Sequence, residues 1–396
     1  VAGSQQGDTV RFALVLATNA GGQWTVPAVA SLVADGHHVH CFLAAEPGTL
    51  GERFLEVGAT VSYHTMDKGT AAAVVRDLPA FLREVRAFRP DAIIYYLYKS
   101  AILGRLARVV AANCPTVHVT VGPAYLELAP VRMAERVLHH MDTQLVYGSH
   151  HIRARYEALG RTSNSDVIYP PIRTDALLPA TPEQRALARQ RLGIEDAEFV
   201  LVMLAYWYAP KLGTGRERHL KGHDLVIKAW REYRERGGRG RLLIVGGGFR
   251  DVGARYRQAT LLELGDFIDE SVTVIGEIQD PRSYYWAADA SIAASSTENL
   301  GSSAEAASFC VPSIGVCVGG IPEIVVDGYS GILARRRTVH DLALAIEEMA
   351  NLDAAERAAM GSRARMMAVS QLGERHVVER LVETIYGVVA GGKATR

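Results

Sequence analysis

The chain has 396 residues, 48% hydrophobic and 22% charged, an ordinary globular composition with apolar material for two cores. Lys plus Arg and Asp plus Glu both number 43, so the formal charge is zero and the basic excess of a typical nucleic-acid binder is missing. No apolar run approaches the roughly 18 residues of a membrane span, and the opening VAGSQQGDTV lacks the apolar segment of a signal peptide. Four scattered cysteines, Cys41, Cys114, Cys310 and Cys317, form neither a CxxC pair nor a zinc spacing. They read as reduced, mostly buried residues of a cytoplasmic protein.

In chain order, VRFALVLA (10–17) predicts a strand that ends at the glycine loop TNAGGQW. TVPAVASLVADG has helical spacing and stops at Gly36, and HHVHCFLA (37–44) is a second strand. This βαβ rhythm continues through ATVSYH, a helix over 71–88, the strand AIIYYLY and the helix AILGRLARVVAAN. The strands TVHVTV and TQLVYGS, a helix over 150–159 and the strand DVIYP complete the half. Residues 170–182 hold four prolines without periodicity and read as a linker. The rhythm then restarts with FVLVMLAYW, HDLVIKAWREYRER and RLLIVGGG, followed by VTVIGEI, RSYYWAA, ASIAASS and a helix over 302–309. SIGVCV, GILA and helices over 338–350, 353–368 and 373–389 end the chain. The expectation is α/β, two doubly wound parallel-sheet, Rossmann-like domains facing across a cleft. Their boundaries are 8–172 and 183–372, with 373–396 as a closing helix.

Ligands of such sheets sit at the carboxyl ends of strands. Gly21 and Gly22 follow the first strand, where glycine permits either close backbone approach to a ligand or a plain tight turn. Gly246 and Gly248 in IVGGGF begin a dinucleotide fingerprint, but position 251 is Asp, so a turn lining the cleft fits better. The histidine pairs lack H-E-x-x-H spacing, and HHVH (37–40) is read as having no carboxylate partner, so no metal is expected. There is no G-x-S-x-G elbow and no Walker A loop. Arg216, Arg218 and Lys221 precede a helix and suit a diphosphate, or simply face water. Tyr96, Tyr98 and Lys99 at a strand end suit a polar acceptor, with core packing the alternative for two of them.

TENLGSS follows the strand ASIAASS and leads into a helix. Ser302 and Ser303 are good caps, Gly301 removes a side chain, and the amides of 300–303 can face an anion. Glu305 is either the capping-box partner of Ser302 or, with Glu298, a grip on paired hydroxyls. Two acids around an anion nest describe a site for a nucleotide sugar.

These residues resemble the donor site of retaining glycosyltransferases of the GT-B fold, family-four (glycosyl transferases group 1) type. SSTENLGSSAEAASFCVPSIGVCVGGIPEIVVDGYSGIL is similar to that family's signature, KGHDLVIKAW to its Lys-Gly-x-Asp helix start, and NAGGQW to its first glycine loop. The likeness runs in order over roughly residues 10–390. The resemblance implies that Glu305 binds the donor ribose, Glu298 the sugar, and Arg216 and Lys221 with backbone around Asn299, Leu300, Gly301 and Ser302 the diphosphate. It puts Gly21, Gly22 and Gly248 on the donor, and the acceptor mainly on the N-terminal half, with Tyr96, Tyr98, Lys99 and His118 as candidates. Six residues separate the two glutamates where seven are usual. Counting back from Pro312 identifies Glu305 and leaves Thr297 and Glu298 as alternatives for the first. YAPKLGT (208–214) reads as an insertion, and no histidine follows TVHVTV where the family has one. The implied activity is metal-independent glycosyl transfer without a cofactor, from a nucleotide sugar to a small polar acceptor, with no nucleic-acid or membrane-spanning role and a homodimer admitted. A nucleotide-sugar epimerase and a non-catalytic sensor are the competing readings.

Overall fold

The computed structural model describes residues 9–66, 71–122, 124–161, 163–210 and 220–394. The described residues up to Pro171, with those from Glu374 onward, form one unit, and Ile172–Gly373 form the other. The first unit holds β1 (Arg11–Leu16), β2 (His38–Ala44), β3 (Thr60–His64), β4 (Ala92–Tyr96), β5 (Thr116–Thr120), β6 (Gln144–Tyr147) and β7 (Ser165–Val167), in the order β3-β2-β1-β4-β5-β6-β7. The second holds β8 (Val200–Leu204), β9 (Arg241–Val245), β10 (Val272–Ile275), β11 (Ala290–Ala293), β12 (Ser313–Val316) and β13 (Gly331–Ala334), in the order β10-β9-β8-β11-β12-β13. Every pairing of these strands is parallel. Both sheets are therefore doubly wound. Parallel strands covered on both faces must be apolar on both, which is why Phe12–Leu16 and Leu242–Val245 are unbroken apolar runs and fully buried.

Strand order reverses between β1 and β4 in the first unit and between β8 and β11 in the second, and a crevice opens at such a switch point. In the first unit Val377, Leu381, Val382, Ile385 and Val389 of the last helix, Glu374–Ala394, share a core with Val29 and Leu32. Among the described residues no helix is long and apolar enough to cross a membrane.

Several elements depart from the sequence reading. Residues 182–191, part of the expected linker and its sequel, form a helix. Its signal was in the sequence: Thr181 and Gln184 make a reciprocal capping box around a proline at the first turn. The helix after β4 starts at Leu97, not near Ala101, so Tyr98 and Lys99 lie in a first helical turn rather than on a strand. Of the cysteines, Cys41 and Cys114 are buried, Cys310 is half-buried and Cys317 is exposed. The HHVH strand does meet a carboxylate: Glu84, from the helix Ala71–Phe88, lies 3.2 Å from His40 and 2.9 Å from His64.

Candidate active site

Lys221 stands between β8 and the helix His223–Glu235. Gly222, the cap of that helix, has φ +78°, and a Cβ there would fall 2.3 Å from the Ala294 carbonyl oxygen. Only glycine lets the backbone lie so close to the end of β11. The Ser296 amide donates to the Leu220 carbonyl at 2.9 Å, which fixes the two strand-end loops together. This close approach brings Lys221 to Glu298, 77 residues away, as an ion pair. Their side chains are 19% and 16% exposed, so the pair is shielded but reachable. Glu298 also accepts from Ser295 Oγ at 3.1 Å and from the Asn299 amide at 3.3 Å.

Gly301 has φ +60° and caps the helix Ser302–Ser308. A Cβ on it would meet Glu298 Cγ at 2.9 Å. Ser302 is thus the first helical residue and no side chain caps the helix, so the capping-box alternative for Glu305 falls away. Glu305 instead accepts from the buried Tyr285 hydroxyl at 3.1 Å, and Tyr285 stacks on Phe309. Burial pushes the Glu305 carboxyl above the ordinary glutamate range, against the opposing pull of the Tyr285 hydrogen bond. Gly319 closes the back of the site: it has φ +61°, and a Cβ there would lie 1.7 Å from the Glu298 carbonyl oxygen.

A cavity of about 250 Å³ collects these groups, with Tyr206 and Tyr208 on the β8 side and Lys221, Glu298, Gly301, Ser302 and Glu305 around the rest. It sits at the switch point of the second sheet. Tyr208 also places its ring 5.8 Å from the Lys221 ammonium. Tyr206, Tyr208, Tyr285 and Gly319 are the residues that the sequence reading did not assign. The Gly-Gly pair at 319–320 was in the quoted signature, whereas nothing local marks the tyrosines.

Gly319→Ala is expected to cost about 2–4 kcal/mol in denaturant unfolding, because left-handed strain and a backbone clash add. Gly21→Ala should stay within about 0.5 kcal/mol, since a Cβ there meets nothing within 4 Å.

The other sequence candidates fall elsewhere. Gly248 pairs across to Trp207, and a Cβ on it would strike Ala254 N at 2.0 Å, so its bareness serves the packing of the helix Arg250–Glu263. Asn299 is half-buried and Leu300 is buried beside the cavity. Arg216 lies outside the described residues. Gly21 and Gly22 belong to the first unit, after β1, where Gly22 at φ +81° starts the turn Gln23–Thr25. That loop is held by Glu46, which accepts from Thr18 Oγ1 at 2.7 Å and from the Asn19 amide at 3.0 Å.

On the acceptor candidates two corrections apply. Tyr96 is 1% exposed and packs edge-on to Trp24, and His118 is fully buried 3.1 Å from Asp142, so both belong to the interior of the sheet rather than to an open strand end. Tyr98 is half-exposed and Lys99 exposed.

Residues 212–367, which carry this cavity, match the family described as Glycosyl transferases group 1, and residues 28–176 match Glycosyltransferase Family 4. The chain belongs to the group-1 glycosyltransferase family. Its GT-B fold is shared with solved members. HepE of Anabaena, solved with UDP and glucose, superposes with a TM-score of 0.77 at 17% identity, covering 95% of this chain and 99% of that one. The sucrose-phosphate synthase of Thermosynechococcus elongatus gives 0.77 at 18% identity over 96% and 100%. Among curated relatives, a D-inositol 3-phosphate glycosyltransferase of Thermobifida fusca is 28% identical over 233 residues, 56% of this chain and 49% of that one. A GDP-mannose-dependent phosphatidylinositol monomannoside mannosyltransferase of Mycolicibacterium smegmatis is 28% identical over 72% of this chain and 74% of its own. The chain spans about half the length of several of the curated relatives it matches.

Proposed function

We propose that the chain transfers a glycosyl unit, with retention of configuration, from a nucleoside-diphosphate sugar to a small polar acceptor. The observation that carries this reading is the convergence of Lys221, Glu298 and Glu305 on one cavity at a parallel-sheet switch point. Glu305 accepts hydroxyls of the ribose, and Glu298 meets the sugar while orienting Lys221. As the glycosidic bond breaks, negative charge grows on the diphosphate, and the Lys221 ammonium stabilises that charge more than it stabilises the ground state. Arg216 is assigned the same task from the family resemblance. Attack from the face the diphosphate leaves, with a phosphate oxygen taking the acceptor's proton, is assigned from the family resemblance.

The acceptor is assigned to the first unit, beside Tyr98 and Lys99. UDP and GDP sugars are the first donors to try, because HepE was solved with UDP and the mycobacterial relative is GDP-mannose-dependent. An inositol phosphate is the first acceptor, from the name of the Thermobifida protein. A role in bacterial specialised metabolism, antibiotic assembly included, draws on the 208–214 insertion and the absent histidine. Cell-wall and thiol pathways are the alternatives.

Thermal shift against UDP, GDP, ADP and TDP sugars tests the donor site. At 100 times the dissociation constant the matching nucleotide should add about 2.7 kcal/mol of stability. Free diphosphate released only with acceptor supports transfer. Isomerised donor without acceptor means an epimerase, and binding without chemistry means a sensor.

A further inference from the structure

Below the acceptor candidates of the first unit lies a buried charged assembly that the proposed reaction does not use. Arg105 is 2% exposed, Glu135 0% and Asp142 3%. The guanidinium grips both carboxylates in bidentate fashion, Glu135 at 2.5 and 3.0 Å and Asp142 at 2.9 and 2.7 Å. Burial alone would raise the Asp142 pKa, but hydrogen bonds from Arg105 and His118 hold it well below the usual carboxylate range. Desolvating three charges is costly, and a well-packed apolar cluster of equal volume would often be as stable. Such an assembly is therefore better explained by geometry than by stability.

Its geometry leads to the surface. Glu135 Oε2 accepts from the Tyr156 hydroxyl at 3.1 Å, and the Tyr156 and Tyr125 hydroxyls are 2.7 Å apart. The Tyr125 ring stacks on Tyr98 with centroids 5.2 Å apart and planes 17° from parallel. Tyr98 is tethered a second way, because it lies seven residues, two turns, before Arg105 on the helix Leu97–Ala107 and so on the same face. Both rings of the pair are thus anchored to one buried guanidinium, and both are partly exposed, Tyr98 just after β4 and Tyr125 in the turn that follows β5.

We propose that Tyr98 on Tyr125 is a platform for the C–H face of a cyclic polyol acceptor, and that Arg105, Glu135 and Tyr156 are positioning residues that set it. A flat aromatic face flanked by polar side chains such as Lys99 and Glu127 suits a ring that is apolar on its faces and hydroxylated at its rim. The inference rests on the proposed transfer reaction for its role, but polyol binding can be measured without it.

The test uses the full-length chain, with myo-inositol, D-inositol 3-phosphate and methyl α-mannoside titrated calorimetrically, and the acceptor KM and kcat of any that is glycosylated. Tyr156→Phe removes one hydroxyl link and cannot itself touch the ligand; Tyr98→Leu removes the platform's outer ring. Both are expected to weaken polyol binding and raise acceptor KM at least fivefold. The kcat of Tyr156→Phe and the nucleotide affinity of both should stay within twofold. The proposal is overturned if no polyol of the panel binds the wild type, if Tyr156→Phe leaves polyol affinity within twofold, or if nucleotide affinity falls in parallel. If the wild type binds no nucleoside diphosphate and transfers no sugar, the transferase reading fails, while the polyol titration still decides the platform.

Discussion

Replacing Lys221 with methionine is expected to lower kcat by about 10²–10³-fold while the fold persists. Methionine keeps most of the stem volume and removes the charge. The loss corresponds to about 3–4 kcal/mol of transition-state stabilisation, the size seen when one donor to a developing anion is removed. Binding of nucleoside diphosphate should weaken less than kcat falls, because charge on the leaving phosphate grows as the bond breaks. Glu298 would be left without its cation but would keep Ser295 and the Asn299 amide as donors. The stability cost should therefore fall between the roughly 1 kcal/mol of an exposed pair and the roughly 3–5 kcal/mol of a buried one. Lys221→Arg retains a charge and should recover part of the rate. Steady-state kinetics with urea unfolding checks all three statements, and a Lys221→Met enzyme with wild-type kcat would remove Lys221 from the reaction.

Glu305→Gln is expected to weaken nucleoside diphosphate binding by about 10–100-fold, the 1.5–3 kcal/mol of hydrogen bonds to a charged acceptor. It carries a pH signature as well. Burial raises the Glu305 pKa, so the folded chain holds this proton more tightly than the unfolded chain does. The group's contribution to stability therefore falls as pH rises from the ordinary glutamate range through the raised folded value. A ribose needs the ionised form as acceptor, so nucleotide binding should strengthen over the same rise and release a proton in its lower part. In Glu305→Gln both dependences should flatten. Calorimetry in buffers of different ionisation enthalpy, with melting curves at acid and neutral pH, reads each of them.

Much of the site was legible because its parts are local. Gly301 follows a buried strand and precedes an alanine-rich helix, and Glu298 and Glu305 flank it within eight residues. A chain read residue by residue shows that much. What it did not show was the partner of each acid. Glu305 was open to a capping role because Ser302-x-x-Glu305 has the right spacing, and the cap turned out to be Gly301. Its true partner, Tyr285, comes from another helix. Tyr96 looked available because it lies at a strand end, and His118 entered only as a candidate from within a strand, yet parallel strands in the middle of a sheet are covered on both faces.

The sequence by itself determined the alternation of strand and helix, the two successive halves and the placing of candidate groups after strand ends, since these follow from short-range periodicity and turn chemistry. Tertiary structure alone decided which of those ends meet. β11 pairs beside β8 rather than after β10, and that crossover carries Glu298 to Lys221 across 77 residues. It also decided where charge is hidden: Arg105, Glu135 and Asp142 are scattered in sequence and become one buried cluster only because a guanidinium taken out of water must find carboxylates.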